Sequence, residues 1–395
     1  MKSRRQSRAP RQSRCAATSI GLKKALSRIG RARGGAKAVD YVAGWLWKAS
    51  DFIRRGGAFA FVSTNSICQG VQVPLIWPSI FQSGQEIIFA HKDFYWANNA
   101  SNNANVICVI VGVSSEPHGE KFIYFDNQRK LAKSINAYLT DGPNIIVEKH
   151  ATPISGLPEM VAGNIPRDKG HFMLSLEDRD AIVAKYPEAA QLFRKIVGSF
   201  ELINGVERTC LWIDDGQAAL ASSIPMIAQR LEAIRKYRET GSERGKLGIE
   251  TPYKFERTIT GKASQIVIPR VFSERRLYVT ADYMKSEIIV SDAAQALYDA
   301  PIHVLSIISS RMHLAWINVT AGRMKSDYRY SSGVCYNSLG SVQPLPTAHF
   351  ATLCMSSSRS CVSSLYALIK RCISRFFDIL VSVNVREAQR RPIHR

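Results

Sequence analysis

Apolar residues recur at three- and four-residue steps through Val39, Val42, Ala43, Trp45, Leu46, Ala49 and Ile53, which predicts an amphipathic helix over 38–54. Arg54, Arg55, Gly56 and Gly57 close it, with cations against the last carbonyls and a glycine stop. The period then changes. Residues 58–63 are an apolar run with the look of a buried parallel strand, and 86–90 and 106–112 read as two more buried strands. Between them, 71–81 contains Pro74 and Pro78 and reads as a short broken helix. Helix and strand in alternation, then two strands close together, describe the far side of an α/β sheet.

Past residue 113 the pattern is less regular. Strand-like pieces fall at 122–125 and 144–147. A helix is expected over 176–198, opened by a capping box from Ser175 to Asp178, and a second over 223–239 with Ile224, Ile227, Leu231 and Ile234 on one face. A charged loop at 241–248 precedes strands at 264–270 and 277–279, and a helix at 301–318. His313 lies on the apolar face of that last helix and reads as a packed core histidine. No internal repeat is visible.

Composition changes this picture at the ends. The formal charge of +21 suggests nucleic acid. Residues 1–39 carry 12 Lys/Arg and no acid, and residues 342–395 carry 8 Lys/Arg and 2 acids. The 302 residues between them are nearly neutral, with 33 basic and 30 acidic side chains. Most of the basic signal therefore lies in two irregular tails, the first expected to be a disordered arm. The second is rich in Ser, Pro and Cys over 340–364 and offers a basic amphipathic helix over 365–383, of the kind that meets a membrane surface or a partner. With 46% hydrophobic residues and six tryptophans, the middle should be globular.

The eight cysteines form no Cys-x-x-Cys pair and have no His at zinc-finger spacing, so free thiols in a reducing cytosol and no metal site are expected. No uncharged apolar run reaches the roughly 18 residues of a membrane span. No signal-peptide core follows the basic N-terminus. A cytoplasmic protein without a membrane partner is the expectation.

Several stretches look like one family, in order. They are Ala38-Val39-Asp40-Tyr41-Val42-Ala43-Gly44-Trp45, then Phe61-Val62-Ser63-Thr64-Asn65-Ser66-Ile67-Cys68-Gln69-Gly70, then Phe94-Tyr95-Trp96-Ala97-Asn98-Asn99-Ala100 and the strand 106–112. Further on come Gly156-Leu157-Pro158-Glu159-Met160-Val161-Ala162-Gly163, Val267-Ile268-Pro269-Arg270-Val271-Phe272-Ser273-Glu274-Arg275-Arg276 and Ser310-Arg311-Met312-His313-Leu314-Ala315-Trp316. The last is the stretch from Gly322-Arg323-Met324-Lys325-Ser326-Asp327-Tyr328-Arg329-Tyr330 to Tyr336-Asn337. Together these resemble the MmeI-like adenine DNA methyltransferases of restriction–modification systems, over about 300 of the 395 residues.

The resemblance implies an α/β protein: a partial class I methyltransferase-like sheet, then an α+β target-recognition domain, with irregular basic tails. The expected division is a basic arm over 1–37, the end of the methyltransferase domain over 38–140 and the target-recognition domain over 141–300. A helical segment of the family over 301–338 and an unrelated tail over 339–395 complete it. In that family the cofactor, S-adenosylmethionine, and an Asn/Asp-Pro-Pro-Tyr/Phe catalytic motif precede the region matched here. No Asn-Pro-Pro or Asp-Pro-Pro occurs in this sequence, and Arg33-Gly34-Gly35 follows no strand and makes no cofactor turn. The expectation is therefore no catalytic and no cofactor-binding residue in this chain. Without that motif nothing aims the adenine amine, a weak nucleophile, at a methyl donor.

What the resemblance keeps is the DNA side. Enzymes that act on a base in duplex DNA extrude it and stack it on aromatic rings. Phe94 and Trp96 are the expected stacking rings, ahead of Tyr95; the alternative is that they pack the sheet edge. Arg270, Arg275 and Arg276, with Arg323, Lys325, Tyr328, Arg329 and Tyr330, are the expected contacts to double-stranded DNA; the alternative is a solvated charged face. Arginine can read guanine bidentately, whereas Lys and Tyr usually meet phosphate. Three accounts follow: a methyltransferase by descent that is inactive alone, a non-catalytic DNA-binding module completed by a separate chain with the cofactor half, or a decayed reading frame.

Overall fold

The 39–55 segment forms the expected helix, α1 (Ala43–Phe52), with a 3-10 turn at Ile53–Arg55. Ala43, Leu46 and Ile53 are buried on its inner face. This computed structural model describes residues 39–96, 106–241, 246 and 248–340. The basic arm, the Asn-rich loop at 97–105 and the helix expected over 365–383 lie outside the described residues.

The first sheet contains β1 (Ala58–Thr64), β2 (Glu86–Tyr95), β3 (Ile107–Ser114), β4 (Lys121–Phe125) and β5 (Gln128–Ala132), in the order β1-β3-β2-β4-β5. β3 is antiparallel to both neighbours, so β1 and β2 run the same way on either side of it. The buried parallel strand expected at 58–63 is corrected on both counts. β1 pairs antiparallel with β3 and is the outermost strand among the described residues, with Ala58, Ala60, Val62 and Thr64 exposed. Phe59 and Phe61 alternate with them and pack on the core. An apolar run signals that both faces can be covered; here only one is.

The helix expected to break, α2 (Gln72–Gln82), is continuous. Pro74 sits in the first turn, where the missing N–H is not needed. Burial of Val73, Ile76, Trp77 and Ile80 carries the helix across Pro78, and the Trp77 indole donates to the Ile67 carbonyl at 2.8 Å. Residues 144–147 form no strand; the Val147 amide donates to the Tyr138 hydroxyl at 3.0 Å instead of to a neighbouring strand.

The second half builds three smaller sheets. One orders β13 (Ile289–Val290), β8 (Phe193–Val197), β9 (Thr209–Leu211) and β7 (Met173–Leu174). The helix expected over 176–198 is only α3 (Leu176–Lys185), capped by the Ser175 hydroxyl accepting from the Asp178 amide at 3.0 Å. Pro187 cannot continue it, and Phe193 and Ile196 pass into β8, because a three-residue apolar spacing also fits a 3-10 turn feeding a strand. Short α4 (Ser199–Asn204) and α5 (Ala218–Ser223) lead to α6 (Pro225–Glu239), which buries Ile227, Leu231 and Ile234 as expected.

A second sheet orders β12 (Asp282–Lys285), β10 (Ser264–Pro269), β14 (Ala294–Tyr298) and β6 (Val161–Ala162). The third orders β11 (Val271–Phe272), β16 (Asp327–Arg329) and β15 (Gly322–Met324). No strand forms at 277–279, which is an irregular bend after the turn at 274–275. The expected helix 301–318 is divided into α7 (His303–Ile308) and α8 (Arg311–Thr320), since Ser310 caps α8 by accepting from the His313 amide at 3.1 Å.

Two buried polar nodes hold these sheets together. Arg238, on α6, is 2% exposed and directs all five N–H donors to the carbonyls of Pro166, Arg167, Gly248, Thr251 and Lys254. Asn164 is fully buried: its amide nitrogen donates to the carbonyls of Ile259 (2.9 Å) and Val290 (3.0 Å), and its side-chain oxygen accepts from the Ile259 amide. Its backbone amide also donates to Val290, and its carbonyl accepts from Asp292. Beside it, a Cβ on Gly163 would lie 2.2 Å from the Ser291 carbonyl oxygen, so only glycine lets the two backbones meet.

Asn164→Ala removes the acceptor of the half-buried Ile259 amide and two donors to carbonyls, and should cost about 2 kcal/mol. A chemical-denaturation midpoint unchanged from wild type would refute the node's importance.

Candidate nucleic-acid interface

The sheet β11-β16-β15 brings together two segments about fifty residues apart in sequence. Val271 pairs with Arg329 and Phe272 with Tyr328, while Arg323 pairs with Tyr328 across the β15–β16 hairpin. The Tyr330 amide extends the ladder by donating to the Arg270 carbonyl at 2.8 Å. All eight cationic and tyrosine candidates of the sequence therefore lie on or beside one small platform.

Pleating divides them between two faces. Successive strand residues point to opposite sides. Tyr328 and Tyr330 point inward and are 5% and 2% exposed; Arg329, between them, is exposed. The expectation that these two tyrosines touch DNA is corrected by their burial. Phe272 stacks at a tilt on both, with centroids 5.5 and 6.4 Å away, and the Tyr328 hydroxyl donates to Asn318 Oδ1 at 3.1 Å. Arg270 is half-buried: its amide donates to the Ser199 hydroxyl at 2.9 Å, and its Nε is buried without a hydrogen-bond partner among the described residues.

His313 lies beneath this aromatic layer, edge-on to Tyr330 at 5.7 Å and wholly buried. Its Nδ1 is 2.9 Å from the Ile308 carbonyl oxygen, and its Nε2 is 3.3 Å from that of Cys335 and 3.5 Å from the Tyr330 hydroxyl. A neutral ring carries one proton, so it donates either to the Ile308 carbonyl through Nδ1 or to the Cys335 carbonyl through Nε2; in the first case Nε2 is left to accept from the Tyr330 hydroxyl. Burial pushes its pKa down to about 4. It is the packed core histidine the sequence implied.

The exposed rim is cationic. Arg275 and Arg276 sit in the turn after β11 with Leu277 and Tyr278, all exposed. Lys325, at the tip of the β15–β16 hairpin, is exposed and held at φ +57°, a left-handed geometry that favours glycine. Arg323 differs from these. Its side chain is only 12% exposed, ion-paired to Glu274 at 2.8 Å, donating to Asn318 Oδ1 at 2.7 Å and the Ser326 carbonyl at 2.9 Å, and stacked 4.7 Å over the Tyr328 ring. Sequence reasoning missed Glu274 and Asn318. The only local signal for Glu274 was one acid beside two arginines.

Phe94 and Trp96 lie elsewhere, at the end of β2. A register shift between His91 and Phe94 bulges the strand, a device that re-aims side chains. Thr64, Cys108 and Phe94 fall in one row across β1, β3 and β2. Phe94 is half-buried, edge-on to His91 at 5.1 Å, while Tyr95 and Trp96 are exposed. The Trp96 amide donates to the Val106 carbonyl at 2.9 Å and ties the two ends of the loop between them. The segment after β1 meets the end of α8 at Gly70, whose amide donates to the Thr320 carbonyl at 3.2 Å. Gly70 has φ +53°, and a Cβ there would lie 3.1 Å from the Gly322 nitrogen.

Among the described residues no cluster of His, Cys, Asp or Glu could hold a metal ion, and no helix is long and apolar enough to cross a membrane. Cys68, Cys108, Cys210 and Cys335 are buried free thiols, each raised in pKa by burial.

Among the described residues, a five-stranded sheet is thus followed by three small sheets, one of which carries a cationic rim. Residues 18–125 match the family described as the DNA-methyltransferase domain of MmeI, and residues 141–343 match the MmeI target recognition domain. DNA methyltransferase A of Bacillus subtilis (strain 168) is 40% identical over 325 residues, covering 81% of this chain and 36% of that protein. A solved structure of the Type IIL restriction-modification enzyme MmeI in complex with DNA superposes with a TM-score of 0.77 at 34% identity, over 82% of this chain and 45% of that one. The chain belongs to the MmeI-like DNA methyltransferase family, and it spans less than half the length of these relatives.

The depressed His313 pKa makes a pH prediction. The unfolded imidazole binds a proton near pH 6.5 and the folded one only near 4, so stability is full above about 6.5 and falls as pH drops toward 4. His313→Leu should remove that part of the pH dependence. If urea midpoints of variant and wild type fall in parallel between pH 7 and 4, the assignment is wrong.

Proposed function

We propose that this chain is the DNA-recognition portion of an MmeI-type, adenine-specific DNA methyltransferase of a restriction–modification system, and that the β11-β16-β15 platform lies against double-stranded DNA. The observation that carries this reading is the convergence of Arg275, Arg276, Lys325 and Arg329 on one exposed rim from two distant segments. The rest of the middle of the chain is close to neutral. The neighbour of known structure was solved on DNA, which supports the same reading. On this account residues 141–300 form the recognition domain and 301–338 complete its platform.

The family implies S-adenosylmethionine as methyl donor. The described residues do not fit that group. β1 is the outermost strand among them and has no further parallel strand beside it, and no glycine-rich turn joins it to a helix. On this reading the cofactor half lies outside the described residues, and a separate chain that carries it is the partner proposed. Phe94 and Trp96, beside the bulge in β2, are the rings proposed to stack an extruded base.

The test is DNA binding across a salt series. The full chain and a 38–338 truncation are compared on mixed-sequence duplexes; removing up to 20 basic tail side chains should flatten the salt slope without abolishing binding. Converting Lys325 and Arg329 to Ala in the truncation should weaken what remains and lower the slope by about one for each phosphate no longer neutralised. No binding by the truncation at any salt would leave the decayed-frame account standing.

A second test concerns the rings. Wild type should bind a duplex with one unpaired adenine more tightly than the paired duplex, because unstacking is then cheaper. Trp96→Ala combined with Phe94→Ala should erase that preference. A preference retained in full by the double variant would assign the rings to sheet packing.

A further inference from the structure

Of the candidate DNA contacts, Arg323 is the one whose guanidinium is already engaged by protein. Its three hydrogen-bond partners come from three separate elements. Glu274 belongs to the turn after β11, Asn318 to α8, and the Ser326 carbonyl to the tip of the β15–β16 hairpin. Its flat face covers the ring of Tyr328, itself buried against Phe272. Only 12% of the side chain reaches solvent, against 42% for its partner Glu274. Such a group cannot turn outward to a phosphate without breaking an ion pair and two further bonds. A planar fork with several donors fixed in one plane suits this task, and an ammonium does not.

The two sparsely bonded parts of the rim are the parts Arg323 ties down. The turn at 273–276 has few other bonds: the Arg276 amide to the Ser273 carbonyl and the Arg275 amide to the Ser273 hydroxyl, both within the turn itself. Lys325 is held in a left-handed conformation that a non-glycine residue adopts only when its surroundings impose it, and the Arg323–Ser326 bond closes around that position. We infer that Arg323 is a positioning residue, not a DNA contact. It clamps the turn carrying Arg275 and Arg276 to the hairpin carrying Lys325, so that the cations of the two segments present a single preformed face to the duplex. Preforming that face removes an ordering cost from binding. The inference rests on the DNA-recognition reading above.

Glu274 supplies the decisive comparison. If charge alone mattered, removing an exposed carboxylate from a DNA-facing rim would tighten binding. If Glu274 is one arm of a clamp, removing it loosens the rim and weakens binding. The full 395-residue chain is titrated with a 30-base-pair mixed-sequence duplex across a salt series, for wild type, Glu274→Ala, Arg323→Ala, Arg323→Lys, Arg275→Ala with Arg276→Ala, and that double variant with Arg323→Ala added.

The clamp predicts that the Arg275/Arg276 double variant loses about tenfold in affinity and roughly two units of salt slope. Arg323→Ala should match it although Arg323 touches no DNA. Adding Arg323→Ala to the double variant should cost at most about twofold more, because coupled residues are not additive. Arg323→Lys should not restore binding, and Glu274→Ala should weaken it. Hydrogen exchange at 273–278 should speed up in both Arg323 variants while the melting temperature stays within a few degrees. If Arg323→Ala unfolds the chain, Asn318→Ala, which removes one arm, takes its place with the same expectations.

Full rescue by lysine, additive losses, or tighter binding by Glu274→Ala would each overturn the clamp while leaving DNA recognition intact. Unchanged affinity in the Arg275/Arg276 double variant would instead remove the recognition reading and the clamp with it.

Discussion

The recognition half depends on the close approach of two backbones at Gly163 and Asn164. Gly163 lets the end of β6 lie against the Ser291 carbonyl, where any side chain would collide. Asn164 then uses its whole amide, donor and acceptor, to stitch the 257–259 strand-like segment to the end of β13. The Asn164 side chain is itself buried, so leaving its amide without these partners would cost much of its desolvation penalty. Through this node β6 keeps its pairing with β14, β14 with β10, and the continuation of β10 through Arg270 reaches the platform. The position of the cationic rim is thus set some distance from the rim itself.

Arg238 acts in a comparable way on the other flank. A guanidinium in the interior is ordinarily costly unless paired. Here five carbonyl dipoles replace its hydration shell, and all five belong to loops with little regular structure of their own. The arginine is therefore a folding template for 166–167 and 248–254 more than a charge. Arg323 repeats the principle on a smaller scale at the platform. In both cases a fork of fixed donors orders chain segments that apolar packing alone would leave loose.

The two candidate regions differ in how fully their edges are covered among the described residues. The platform is self-sufficient: an aromatic layer of Phe272, Tyr328 and Tyr330 rests on neutral His313, and the rim stands on that layer. The first sheet is not. Alternate residues of the seven-residue β1 turn their backbone N–H and C=O groups to an edge with no neighbour among the described residues, and four of its side chains are exposed. Such an edge is a pairing surface. The Gly70–Gly322 approach joins the segment that follows β1 to the base of the hairpin that carries Lys325.

Local pattern was enough for several parts of this protein. The spacing of Ile227, Leu231 and Ile234 matched α6, because burial of one helix face leaves a 3.6-residue period, and the short β-branched runs 264–270 and 106–112 matched β10 and β3, because their length and composition suit buried strands. Both cation clusters were legible too, as was the core role of His313. What the sequence could not carry was phase and partnership. Whether Tyr328 and Tyr330 face inward and Arg329 outward depends on which side of the strand meets Phe272, and a one-residue slip would reverse them all. Pro187 turned a helix into a strand, and Ser310 divided one helix in two, because a side chain or ring competed with the ladder at that point. The pairing of 270–272 with 328–330, and the capture of Arg323 by Glu274 and Asn318, exist only once distant segments have been brought together. Long-range register is decided by total burial over the whole fold, a quantity that no window of the sequence contains.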